Sequence, residues 1–178
     1  IQPFELTEPD LARTLFETNT LGTMAMTQAV LPQFRAQGAG TIVNITSSVT
    51  FKALPLVSMY TASKAAVNAF TASLAIELAP FGINVRIVLP DPSLKTRFSA
   101  NAKRAGLDNA DYADMIQQTV TQMTDESGPV TNAADVAEAV AAAQVLIEHG
   151  LGVLVLIDPD PSGVEYVHLG PHDLHGVS

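Results

Sequence analysis

Six residues, Thr41-Ile42-Val43-Asn44-Ile45-Thr46, constrain this chain more than any others. The run is β-branched and nearly continuous in apolar character, and it is bounded by Gly40 and by the polar pair Ser47-Ser48. A strand with one wet face alternates apolar and polar residues; a run without that alternation needs cover on both faces, as in a parallel sheet. Val85-Arg86-Ile87-Val88-Leu89, stopped by Pro90, reads as a second strand, and Val153-Leu154-Val155-Leu156-Ile157 as a third.

Helices are expected between them. Thr7 can cap a helix whose first turn holds Pro9 and, at the capping-box spacing, Asp10. Apolar residues at Leu11, Leu15, Leu21, Met24, Val30, Leu31 and Phe34 carry it to about Phe34, with a bend near Gly22 and Pro32, and Gly38 and Gly40 end it. A second long helix runs from about Ser58 to Ala79 and is closed by Pro80 and Gly82. A third, capped by Thr131 or Asn132, spans Ala133 to Glu148. Residues 91–131 are polar, with short helices expected around Ser99–Arg104 and Tyr112–Met123. The whole chain reads as one α/β domain, 1–178, with 159–178 an irregular tail. Strands alternating with helices predict a parallel sheet with helices on both faces, and a ligand at the carboxyl ends of the strands. Ser47, Ser48, Pro90 and Asp91 all follow strand ends there.

Composition excludes several functions. The chain is 47% hydrophobic and 15% charged, which suits a globular protein with a core. A net charge of −9 argues against nucleic acid and against anionic membrane surfaces. With no cysteine there is no thiolate nucleophile and no disulfide. No apolar run reaches the length of a membrane span, and no signal segment opens the chain, so a cytoplasmic location is the expectation.

Tyr60 and Lys64, four residues apart, share a helical face one turn from each other. A phenol with a pKa near 10 is a poor base at neutral pH, and an ammonium beside it favours the phenolate. The pair can therefore exchange a proton with an alcohol or a ketone.

Taken together, these motifs resemble the short-chain dehydrogenase/reductase family. The resemblance rests on Asn19 within Glu17-Thr18-Asn19-Thr20-Leu21-Gly22, and on Gly40 to Ser48 with Ser47 thirteen residues before Tyr60. It rests also on Tyr60-x-x-x-Lys64 and on Asn84 to Pro90 followed by Thr96. It covers roughly residues 7 to 160 and implies a Rossmann-like doubly wound parallel sheet. The resemblance implies an NAD- or NADP-dependent oxidoreductase interconverting a hydroxyl and a carbonyl group on a small-molecule alcohol or ketone. It makes Tyr60 the general acid/base and Ser47 a hydrogen-bond partner of the substrate oxygen. Lys64 lowers the Tyr60 pKa and binds the nicotinamide ribose, and the backbone of Asn19 holds a relay water. Tyr60, Lys64, Pro90, Asp91 and Thr96 become cofactor contacts, residues 91–131 a substrate lid, and the two long helices the interface of a homo-oligomer.

Two features depart from the family pattern. Asp91 stands where the family has Gly, placing a charge beside the cofactor. No Gly-x-x-x-Gly-x-Gly turn for the pyrophosphate occurs anywhere in the sequence, so the fold is expected to be partial, lacking the amino-terminal dinucleotide-binding half. These residues alone should then be inactive, and the strand at 41–46 should present an open edge. A non-catalytic fragment with an assembly role is the alternative reading. A dehalogenating relative would carry Arg in place of Lys64.

Other candidates have blander explanations. The serine spacing favours Ser47 over Ser48. Asn44 reads as a structural polar group, and Tyr112 and Tyr166, without a Lys at helical spacing, as packing residues. His168, His172 and His175 with Asp173 are interrupted by Pro171 and read as solvated tail, so no metal site is expected.

Overall fold

In the computed structural model, residues 1–90, 97, 102–124 and 132–148 are described. Two strands, β1 (Gly40–Ile45) and β2 (Ile83–Val88), pair in parallel with Gly40 opposite Ile83 and Ile45 opposite Val88. Each begins one or two residues earlier than its apolar run suggested. The expected third strand at 153–157 lies outside the described residues. Among those described, β1 pairs only with β2, so its other edge carries no strand.

The first helical stretch has two parts. α1 (Pro9–Phe16) and α2 (Gly22–Gln37) are joined by one turn of π-helix, Glu17–Leu21, in which the N–H of Gly22 reaches back to the carbonyl of Glu17. The bend expected near Gly22 is this wide turn, while Pro32 stays inside α2. Thr7 is not the cap: Glu8 occupies that position, and the Thr7 hydroxyl donates to the carbonyl of Pro3 at 3.2 Å. Asp10 pairs with Arg13 instead of closing a capping box. The helix runs past Phe34 to a left-handed Gly38.

α3 (Ser58–Leu78) connects β1 to β2 as the crossover of a strand–helix–strand unit. Ile42, Ile83 and Val85 point from one sheet face into a core with Leu74 and Leu78 of α3, flanked by Leu31 and Phe34 of α2 and Phe70 of α3. The ends of α2 and α3 meet at two glycines. Gly82 has φ +69, and a Cβ there would lie 2.4 Å from the carbonyl oxygen of Gly38, so only glycine fits the turn into β2. Arg35 stacks on Phe81 in the same place, 4.1 Å from the ring centre.

In the polar stretch, residues 102–104 are not helical, and the remainder of the helix expected around Ser99–Arg104 lies outside the described residues. α4 (Ala113–Thr124) follows a single 3-10 turn, Ala110–Tyr112. α5 (Ala133–Glu148) packs against both strands. Asn132 precedes it, and its N–H donates to the carboxylate of Asp135 at 2.7 Å, the return half of a capping box.

Candidate functional site

β1 ends at a position that its own ladder extends. The N–H of Thr46 donates to the carbonyl of Val88 at 2.9 Å, and the N–H of Ser48 to that of Pro90 at 3.1 Å. The carboxyl ends of both strands are thus held together, with Ser47 between the two bonds. Ser47 then caps a short turn, Ser48–Thr50, accepting the Val49 N–H on its hydroxyl at 3.3 Å. Thr50 donates to the Ser47 carbonyl at 2.9 Å and accepts from the Asn68 side chain on α3, also at 2.9 Å. The serine is therefore fixed from the helix as well as from the sheet.

α3 brings up its first turn beside this point. The Ser47 side chain neighbours that of Tyr60 closely enough to lower its pKa by hydrogen bonding. One turn along, Lys64 donates its ammonium to the carbonyl of Ile45, the last residue of β1, at 3.0 Å. Ser47, Tyr60 and Lys64 are thereby gathered at one strand end, as their spacing suggested. Pro90 lies there too, its carbonyl bonded to Ser48. Asp91 and Thr96 lie outside the described residues.

Asn19 reaches the site indirectly. It sits in the π turn, where its side-chain amide donates to the hydroxyl of Ser63 at 3.0 Å. Ser63 in turn donates to the carbonyl of Tyr60 at 2.8 Å, and the neighbouring Thr20 hydroxyl donates to the carbonyl of Ser63 at 2.9 Å. The Asn19 carbonyl accepts from the Thr23 hydroxyl at 2.8 Å. Ser63, fully buried, joins the π turn to the first turn of α3, and sequence reasoning missed it. The available signal was its place three residues after Tyr60, on the side of α3 that faces the preceding helix. Asn44 plays the structural part expected of it, donating from the sheet to Thr71 of α3 at 2.8 Å.

The electrostatics differ from the sequence-based expectation. Burial raises the Tyr60 pKa above its ordinary value, and the Ser47 hydrogen bond offsets this only in part. Burial also lowers the Lys64 pKa. Spacing alone suggested that Lys64 would ease the phenol proton off. Instead, desolvation of a charged phenolate outweighs its neighbours, and the ammonium is turned toward a backbone carbonyl. Tyr60 is held as a protonated phenol, which is the form that can donate to an oxygen gaining charge. The donor set also suits a nicotinamide dinucleotide: two hydroxyls for a carbonyl oxygen, and beside them an ammonium with three N–H groups for a ribose diol.

The model of the short chain dehydrogenase family matches residues 1–107, more than half of the chain. An uncharacterized oxidoreductase of Bacillus subtilis, YusZ, is 41% identical over 78 residues, 44% of this chain and 28% of the relative. A solved short-chain dehydrogenase from Streptomyces avermitilis superposes with a TM-score of 0.69 at 34% identity, over 81% of this chain and 52% of that one. The 3-ketoacyl-(acyl-carrier-protein) reductase from Brucella melitensis, solved with NADH, gives a TM-score of 0.62 at 26% identity, over 80% and 53%. The chain spans less than half the length of the curated relatives it matches. With the family match covering every residue of the Ser47–Tyr60–Lys64 cluster and the solved relatives sharing the fold that gathers it, this chain belongs to the short-chain dehydrogenase family.

Proposed function

We propose that this chain carries the proton-transfer half of an NAD- or NADP-dependent oxidoreductase that interconverts a hydroxyl and a carbonyl group on a small molecule. The observation that carries the reading is the gathering of Ser47, Tyr60 and Lys64 at the end of β1, where Lys64 donates to the Ile45 carbonyl and Ser47 lowers the Tyr60 pKa. The NADH bound to the Brucella relative supports the choice of cofactor.

In the reductive direction Tyr60 donates its phenolic proton to the substrate oxygen, and Ser47 hydrogen-bonds the same oxygen as charge develops on it. Lys64 offers its ammonium to the nicotinamide ribose, and the Asn19 backbone holds the water through which the proton is replaced. Pro90, Asp91 and Thr96 flank the cofactor. The bound nicotinamide supplies or accepts the hydride. Residues 91–131 cover the substrate, following a strand end as such segments do. A second copy docks through α2 and α3, whose Met26 and Ile76 are 70% and 73% exposed.

Tyr60→Phe in the complete natural polypeptide tests the mechanism. Turnover should fall by about 10²–10⁴-fold while the cofactor dissociation constant barely moves. An undiminished rate would remove Tyr60 from the mechanism.

A further inference from the structure

Leu56 has φ +66 and is the only non-glycine among the described residues with a positive φ. It follows Pro55, and proline second with a left-handed residue third is the arrangement of a type II turn, where glycine or asparagine is the ordinary occupant. A leucine here sets its Cβ against its own backbone, and such a conformation persists only where the surroundings over-determine it. They do so in two ways. The side chain is 6% exposed, and the carbonyl of Leu56 accepts the N–H of Gln2 at 2.9 Å. The very next residue, Val57, caps α3, and its carbonyl accepts the N–H of Thr61 at 2.8 Å. The outlier therefore sits at the entry to the helix that carries Tyr60, on the segment joining Ser47 to Tyr60.

Gln2 belongs to a brace, residues 1–7, whose far side touches another part of the chain. Glu5 accepts a hydrogen bond from the Tyr112 hydroxyl at 2.5 Å. Leu6 packs so closely on Gly106 that a Cβ there would lie 2.6 Å from a Leu6 methyl group. Simple burial would account for leucine as a residue type. It does not account for a left-handed leucine whose carbonyl is tied to a separate segment at the start of the Tyr60 helix.

We propose that Leu56 is a positioning residue for the Ser47–Tyr60 pair: its left-handed backbone, pinned by Gln2 of the brace, fixes where α3 begins and so holds the two hydroxyls together. The inference rests on the assignment of Tyr60 as the acid, but its test does not require turnover.

The test is a double-mutant cycle in the complete natural polypeptide, with carbon-13 in the tyrosine ring and the Tyr60 signal assigned through Tyr60→Phe. In the parent, Ser47→Ala should raise the Tyr60 titration midpoint, because the serine bond is what lowers it. In Leu56→Gly, which permits the left-handed turn without enforcing it, the effect of Ser47→Ala should shrink to less than half. Leu56→Asn, which tolerates the same backbone, should restore most of it. Gly106→Ala, which puts a Cβ on a left-handed backbone (φ +63) and against Leu6 on the far side of the brace, should shrink it again. If Leu56→Gly does not fold, Gly106→Ala decides. An undiminished Ser47 effect in Leu56→Gly, an undiminished effect in Gly106→Ala where Leu56→Gly does not fold, or no Ser47 effect in the parent, overturns the proposal. Turnover surviving in Tyr60→Phe would overturn the assigned mechanism and leave this coupling intact.

Discussion

The seam where α3 meets β1 and the π turn contrasts with the outer surface of α1 and of the turn before α4. Polar contacts in the seam are neutral and wholly or partly buried: Asn44 to Thr71, Thr20 to Ser63, and Asn19 to a Ser63 that is 0% exposed. Those on the surface involve charge and lie in water: Arg13 with Asp10, and Tyr112 with Glu5. Burying a neutral donor against a neutral acceptor avoids the desolvation cost of a charge and fixes direction. Exposed ion pairs are screened and contribute little. The proton-transfer groups are thus aimed by amides and hydroxyls, and Lys64 is a half-buried cation brought up to a frame already set.

The contrast breaks most readily at Ser47. Ser47→Ala in the complete polypeptide should lower the turnover number by about 10²–10³-fold, as loss of a donor to a developing oxyanion does. Steady-state kinetics followed at the nicotinamide absorbance would measure it, and a rate near that of the parent would mean that Tyr60 acts alone. The same variant bears on pH dependence. Because burial raises the Tyr60 pKa, the proton-donating phenol persists through neutral pH and is lost only as pH climbs past the ordinary tyrosine value of about 10. By linkage, the stability it contributes is full below that ordinary value and falls as pH rises through the higher folded one. Removing Ser47 should push the alkaline fall in reduction rate to still higher pH; a shift downward would reverse the assigned roles.

Next in size is Ser63→Ala. It leaves the half-buried amide of Asn19 without its acceptor and frees the carbonyl of Tyr60, at a cost of about 1–3 kcal/mol in unfolding free energy. Urea denaturation should show it. If the loss were instead within the error of a surface substitution, the seam would not be what holds the helices in register. Gly82→Ala should cost a similar amount for a different reason, a left-handed φ and a methyl 2.4 Å from the Gly38 carbonyl oxygen. Its effect should appear in stability and leave the Tyr60 titration unmoved.

How much of this could be read from the residues follows the same division. Local signals were strong where one element decides: the β-branched run of β1, the Ala-rich α3 between Ser58 and Pro80, and the Tyr60–Lys64 spacing with Ser47 before it. Where two elements decide together, the sequence was silent. The π turn is marked only by Gly22 at its exit, because what accompanies it is bonding of Asn19 and Thr20 to a serine forty-odd residues away. Thr7 looked like a cap but turns back to Pro3 in the brace. Leu56 carries no sign of its left-handed backbone, since leucine is not a residue that selects it. The direction of the Tyr60 pKa was misjudged for the same reason: spacing reports the nearby charge, whereas burial is a property of the assembled fold.

The smallest expected effect sharpens the contrast from the other side. Asp10 and Arg13 form the most conventional ion pair among the described residues, at i and i+3 on α1, with side chains 92% and 73% exposed. Both ions keep nearly all their water, so the Coulomb gain is screened while two side chains lose rotamer freedom. Asp10 also lies in the first turn, where a carboxylate meets the positive end of the helix, and Asp10→Asn keeps a polar side chain while removing that charge. The substitution should therefore change unfolding free energy by less than about 0.5 kcal/mol. What little it does should vanish when salt is raised, and the Tyr60 titration should not move. A loss as large as that of Ser63→Ala, or one that survives high salt, would mean that charge on the outer surface does help to hold the seam, and the division between the two regions would fail.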